Sequence, residues 1–299
     1  MSKYLTITID TETDSPRWEP EFPYSLNNVK ALPKLQNLFE KNSVKPTYLI
    51  TYPVTQDKES VAILKDILGK KEAEVGTHLH PWTTPPFHSE KERLELSYPH
   101  RSSLEREKLA NLTATIEQTF GVKALSYRAG RYGFDEDSLK ILEELGYLVD
   151  SSITPTMNWS SDGGPNFARN ENTQPYYLNR ILEVPISIVT SRKLPGYNNF
   201  LPKVKAVLRR IGLVKTVWLR PSIASFGEMK WLADSLLDKG VSVLTIMFHS
   251  NELIRGTSPY VKTEREEEIF WERLNKILNY LVLDKKLESK TLSEIPLIL

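Results

Sequence analysis

Short runs of β-branched and aliphatic residues alternate with amphipathic segments along most of the chain, and run after run stops at a side chain that can do chemistry. Tyr4 to Ile9 stops at Asp10-Thr11-Glu12-Thr13-Asp14. Glu74 to His78 runs into Leu79-His80-Pro81-Trp82, Ala124 to Tyr127 into Arg128, and Tyr147 to Val149 into Asp150. Val217 to Leu219 ends at Arg220 and Val243 to Phe248 at His249, while Thr47 to Thr51 reads as a further strand. Helical spacing marks Val29 to Asn42, the segment around Ile63, Leu64, Ile67 and Leu68, Asp135 to Leu145, Gly227 to Lys239 and Thr263 to Asp284. A further helix carries Leu109, Leu112, Ile116 and Phe120, and Ser102-Ser103-Leu104-Glu105 has the pattern of a capping box that opens it. Strands that alternate with helices from end to end predict one α/β domain over residues 1–299 with a mainly parallel sheet. In a parallel barrel the C-terminal strand ends share one face, where active sites form. Asp10, His78, Arg128, Asp150, Arg220 and His249 are therefore expected on that face.

Three stretches stand apart from the alternation. Thr83 to Arg101 is a long proline-containing loop of the kind that lines binding sites. Ile181 to Val189 reads as a strand with Pro185 inside it, hence an edge or bulged one. Residues 203–215 form a basic amphipathic segment, read first as a solvated helix face and second as a peripheral contact for an anionic lipid or glycan carrier.

The bulk composition excludes several functions. With no cysteine, disulfides, thiolate metal sites and a cysteine nucleophile are ruled out. A net charge of +1 gives no field for nucleic acid. No window has the continuous apolar length of a membrane span, and Met1-Ser2-Lys3 leads straight into a strand, so a cytoplasmic protein is expected.

His78 and His80 are two apart in extended backbone, so both imidazoles face one side and can converge on a metal ion. Two imidazoles and a carboxylate from the Asp10–Asp14 cluster make a three-ligand set with an open position. A second carboxylate can serve as general base, Arg128 can hold it ionised, His249 can act as general acid, and Asp150 can stabilise that imidazolium. Each has a plainer reading. Asp10 can brace the barrel, Asp150 can begin a turn with Ser151, Arg128 and Arg220 can be structural ion-pair partners, and His249 can be a satisfied core histidine. His88 and His100 are read as surface residues.

The order of these motifs resembles the polysaccharide deacetylase family (NodB-homology, carbohydrate esterase family 4). The resemblance runs from Lys3 to Leu253 through Thr8-Ile9-Asp10-Thr11-Glu12, Gly76-Thr77-His78-Leu79-His80, Tyr127-Arg128-Ala129-Gly130, Val149-Asp150-Ser151-Ser152 and Met247-Phe248-His249-Ser250. It implies a distorted (β/α) barrel of seven or so mainly parallel strands, TIM-like, with a divalent metal, usually zinc, and hydrolysis of acetyl groups from an N-acetylated sugar or polysaccharide precursor. By the same resemblance Asp10 is the base, Arg128 its orienting partner, His249 the acid and Asp150 the residue that tunes the acid. Glu12, His78 and His80 are expected as metal ligands, with Asp14 as the fallback carboxylate, and Trp82 and Tyr132 as substrate-binding residues.

The chain departs from the family pattern at three places. Thr11 stands where the metal aspartate is usual, the second histidine is at 80 with Trp82 in its customary place, and Gly130 replaces a customary proline. These features resemble a divergent subgroup associated with bacterial surface-polysaccharide biosynthesis. Deformylation of a lipid-linked amino sugar, a catalytically silent glycan binder and a scaffold of a glycan-assembly complex are the alternative readings.

Overall fold

The computed structural model describes residues 2–17, 25–70, 72–87, 89, 98–99, 104–192, 204 and 214–299. In chain order its elements are β1 (Tyr4–Thr11), α1 (Leu32–Lys41), β2 (Pro46–Ile50), α2 (Tyr52–Gln56), α3 (Lys58–Gly69), β3 (Glu74–Leu79), α4 (Glu105–Phe120), β4 (Ser126–Ala129) and α5 (Glu136–Leu145). They continue with β5 (Val149–Asp150), β6 (Tyr176–Leu178), β7 (Ile181–Glu183), β8 (Ile188–Arg192), β9 (Val214–Trp218), α6 (Phe226–Asp238), β10 (Val243–His249), α7 (Glu264–Asn279) and β11 (Glu288–Ser289).

The main sheet has the order β10-β1-β2-β3-β4-β5-β7-β6, and every pairing from β10 to β7 is parallel. It curls into the expected distorted barrel. Strand residues alternate between two apolar layers, as the period of two requires. Leu49, Val149, Leu182 and Val243 fill the barrel, which Leu292 and Ile295 close from below. Ile7, Ile9, Tyr48, Ile50 and Val75 belong to the larger core shared with the helices, among them Leu35, Leu64, Leu112, Leu232 and Leu274. Gly76 keeps the barrel narrow, because a β-carbon there would come within 2.5 Å of the Ser126 carbonyl oxygen and 2.7 Å of Leu49.

The strand expected over Ile181 to Val189 is broken in two. Proline lacks the N–H that a ladder needs, and Pro185 lies in the gap between β7 and β8. The chain crosses there to the free side of β10. Ser187 Oγ accepts from Thr245 N at 2.9 Å, Leu219 N donates to Ser187 O at 2.9 Å, and Met247 N reaches Leu219 O at 3.3 Å. These bonds bring the β8–β9 hairpin against β10 and carry the wall round from β7. The expected Val217-to-Leu219 strand is β9, antiparallel to β8.

Helix ends follow local chemistry. Ser225 and Thr263 cap α6 and α7 through capping boxes with Glu228 and Glu266, and Gly146 and Gly121 end α5 and α4 in the left-handed conformation. The serines of the expected capping box before α4, residues 88 and 100, and nearly all of the basic segment at 203–215 lie outside the described residues. Among the described residues no helix is long and apolar enough to cross a membrane.

Candidate active site

Strand register sets the floor of the site. Asp10 pairs with His249 across β1 and β10, and His78 pairs with Arg128 across β3 and β4. Because residues two apart share a face, Asp10 and Glu12 project to the same side of β1, and His78 and His80 to the same side as β3 ends. Thr11, between the two acids, turns away and bonds to Ile9 O at 3.1 Å.

Arg128 is fully buried and donates from Nη1 to Asp10 Oδ1 at 2.6 Å. It is fixed by Ser151, whose carbonyl accepts from Nε at 2.8 Å and whose hydroxyl accepts from Nη2 at 2.9 Å. Burial alone would raise the Asp10 carboxyl, but Arg128, His78 and His249 together hold it down at about 2. Its second oxygen, Oδ2, faces His249 Nε2 at 3.7 Å and His78 Nε2 at 4.0 Å.

Glu12, His78 and His80 form a buried cluster whose donor atoms lie within 4.8 Å of one another. His78 commits Nδ1 to Arg128 O at 2.9 Å, which leaves Nε2 bare toward Glu12 Oε2 at 3.9 Å. Burial pulls the His78 imidazole down to about 4, against the nearby carboxylates, which favours the neutral ring at ordinary pH. His80 Nε2 faces the cluster, meeting Glu12 Oε2 at 2.7 Å, while its Nδ1 is turned toward Gly130 and is buried without a hydrogen-bond partner. Asn251 Nδ2 holds Glu12 Oε1 at 3.1 Å and Ser250 Oγ accepts from Glu12 N at 3.1 Å. Burial disfavours the Glu12 carboxylate, yet His80, His249 and His78 lower its pKa overall.

Donors about 2 Å from one ion at a tetrahedral angle stand roughly 3.4 Å apart. The two spacings to Glu12, 2.7 and 3.9 Å, bracket that value, and the third lies within 4.8 Å. Two imidazoles, one of them fixed through its Nδ1, and a carboxylate held by Asn251 are the donor chemistry of a divalent-cation site.

Asp14, the fallback ligand, is placed elsewhere. Its carboxylate accepts from Ser25 Oγ at 2.7 Å and from the backbone N–H groups of Asn27 and Asn28 at 3.1 Å, and so caps the 3-10 turn Asn27–Ala31. Asp150 is likewise not on His249. It is fully buried and accepts from Ser152 Oγ at 2.6 Å; burial raises its pKa and that of the neighbouring Glu183 carboxyl. The carboxylate on His249 is Glu252, whose Oε1 stands 2.8 Å from Nδ1. Arg220 donates to the same Glu252 oxygen. Glu252 lies three residues after His249, in the 3-10 turn Ser250–Glu252 that follows β10, and no strand-end spacing marks it in the sequence.

Above this floor opens a cleft of about 490 Å³. Tyr132, Trp159 and Trp218 line it, Tyr132 stacking on Trp159 with centroids 5.5 Å apart, and Tyr98 and Tyr260 add to the rim. Tyr132 and Arg131 both hold positive φ, +61° and +51°, a conformation that non-glycine residues keep only where the surroundings impose it. Trp82 packs behind His80, centroids 4.2 Å apart, and is absent from the cleft lining. Trp159, Trp218 and Tyr260 carry no spacing signal, since loop and hairpin geometry brings them in.

Several solved structures share this barrel at low identity. A candidate polysaccharide deacetylase from Mycobacterium smegmatis matches with a TM-score of 0.56 and 14% identity, over 99% of this chain and 90% of that one. A candidate glycoside hydrolase/deacetylase from Parabacteroides distasonis matches with a TM-score of 0.65 and 12% identity, over 98% of this chain and 70% of that one. The fold is the polysaccharide-deacetylase fold. The 4-alpha-glucanotransferase of Thermococcus litoralis also matches, with a TM-score of 0.58 and 13% identity, this whole chain spanning 41% of it. No protein-family model and no curated protein matches the sequence. A polysaccharide-deacetylase fold thus carries more than one chemistry, and the activity has to be argued from the side chains.

Proposed function

We propose that this chain is a metal-dependent hydrolase that removes the acetyl group from an N-acetylated amino sugar. The observation that carries the reading is the setting of Asp10. One oxygen is tied to Arg128 at 2.6 Å, and the other lies between His78 of the cation cluster, at 4.0 Å, and His249, at 3.7 Å. A base, a cation seat and an acid therefore surround one point on the cleft floor.

Glu12, His78 and His80 are the residues that would hold a divalent cation, zinc by their donor types. When bound, the cation supplies Lewis-acid polarisation of an acyl oxygen and makes water acidic enough for a weakly basic carboxylate to deprotonate. Asp10 Oδ2 accepts the proton of the attacking water, and Arg128 keeps that oxygen ionised until then. A bond forms from the water oxygen to the acyl carbon as the carbon–nitrogen bond breaks. His249 Nε2 delivers a proton to the departing amine. The wall of Tyr132, Trp159 and Trp218 gives a sugar ring apolar faces to stack on.

The test is acetate release from N-acetylated oligosaccharides, followed together with zinc content. Asp10→Asn is expected to keep its zinc and lose roughly a hundredfold or more of the activity. Full activity in zinc-stripped protein would overturn the reading, and release of formate from N-formyl sugars in place of acetate would move it to a deformylase.

A further inference from the structure

We propose that Glu252 and Arg220 are paired positioning residues that set the protonation of His249 from behind, the role that the family resemblance gives to Asp150. The inference rests on the hydrolase reading for its catalytic meaning, though not for its geometry.

Glu252 Oε1 faces His249 twice, accepting from the backbone N–H at 2.9 Å and lying 2.8 Å from Nδ1. Two contacts from one oxygen fix the ring and leave Nε2 directed at Asp10 Oδ2, 3.7 Å away. Arg220 Nη2 donates to that same Oε1 and also stands 3.0 Å from Nδ1. A single ring nitrogen cannot donate to the carboxylate and accept from the guanidinium at once. Glu252 therefore favours the form with a proton on Nδ1, and Arg220 favours the form without one. When Nε2 gives up its proton, the neutral ring keeps its other proton on Nδ1 and stays bonded to Glu252 without turning. Both residues are buried, Arg220 against the ring of Tyr260 at 4.7 Å, so water screens neither charge well.

The other groups acting on His249 are Asp10 and Glu12 from β1 and His78 from β3, while Tyr132 and Tyr260 act on Arg220. They are common to all the variants below, so their contribution cancels in the comparison. Removing the carboxylate leaves the guanidinium alone at Nδ1 and disfavours the imidazolium. Removing the guanidinium leaves the carboxylate alone and favours it. The two losses have opposite signs, which a merely structural role would not produce.

The experiment is a pH titration of the His249 ring by nuclear magnetic resonance in the zinc-loaded full chain, beside the pH profile of kcat/KM. Glu252→Gln should lower the midpoint and the alkaline limb, and Arg220→Gln should raise both, each by about one pH unit. Glu252→Asp and Arg220→Lys should give smaller shifts of the same two signs, and they carry the test if a glutamine variant does not fold. Shifts in the same direction, or none in folded protein, overturn the proposal. The ring titration needs no turnover, so opposite midpoint shifts in a protein inactive on acetylated sugars would count against the hydrolase reading alone.

Discussion

Gly130→Ala adds one methyl group at the point where two departures from the deacetylase pattern meet. Gly130 follows β4, and its missing side chain leaves the space that the His80 imidazole fills. A β-carbon there would collide with His80 Nδ1, come 2.7 Å from His80 Cε1 and stand 2.5 Å from the Leu79 carbonyl oxygen. Ordinary contact needs about 3.5 Å, so ring or backbone has to give by roughly 1 Å. Leu79 is held in register with Ala129 by the β3–β4 ladder, so the ring is the part that moves. Its Nε2 is the atom placed against Glu12, at 2.7 Å. Perturbing the support of a ligand typically costs 10–100-fold in metal affinity, about 1.4–2.7 kcal/mol. Overpacking adds about 1–3 kcal/mol of lost stability. Glycine-to-alanine changes at positions with ordinary φ usually stabilise by about 0.4–1 kcal/mol, so the sign itself is diagnostic. Gly69, where a β-carbon would meet nothing within 4 Å, is the control. Zinc affinity measured by competition with a chromophoric chelator, and stability by urea unfolding, read the two effects. Zinc affinity equal to that of the parent, with stability unchanged or raised, would refute the reasoning.

Two further predictions concern carboxylates. Asp14→Ala should cost about 1–2 kcal/mol through loss of a cap while zinc stoichiometry stays at the parent value, whereas Glu12→Ala should lose zinc; metal analysis beside thermal melting distinguishes them, and zinc loss in Asp14→Ala alone would reverse the ligand assignment. Glu105, which accepts from Ser138 Oγ at 2.7 Å, is pushed up by burial, with Asp135 and Asp137 adding, from 4.5 to about 7. Between those values the folded chain keeps a proton that the unfolded chain releases, so this group's contribution to stability falls as pH rises, by at most about 3 kcal/mol. Glu105→Gln should flatten that part of the stability–pH curve measured by urea unfolding, and an unchanged slope would dispose of the prediction.

The barrel was legible because its signal is local. Tyr4 to Ile9, Glu74 to His78 and Val243 to Phe248 are β-rich runs that end in polar side chains, and their register follows once the strands are parallel. Asp10, Glu12, His78 and His80 were legible for the same reason, since spacing of two in a strand fixes a shared face. Pro185 announced an irregularity but not its consequence, which is a crossing to β10 that only the closed wall explains. The partner of His249 was misread because Asp150 is a strand-end residue like the others, whereas its neighbour Glu183 comes from a strand of three residues. Nothing in the sequence near Asp150 says that a second carboxyl will be buried against it. The aromatic wall was least legible of all, because Trp159 and Trp218 come from segments whose approach depends on the whole barrel.

The strand order β1-β2-β3 makes the sheet a ruler for its own donors. Glu12 comes from the end of β1 and the histidines from β3, so the cluster is built across the width of β2, two strand spacings or about 9.6 Å between the outer backbones. Side-chain length therefore becomes part of the site's specification. Glutamate at 12 reaches over the middle strand one methylene further than aspartate, and an imidazole answers from the other bank. Altering the identity of the donors here without altering their length is a change of chemistry; altering the length is a change of span.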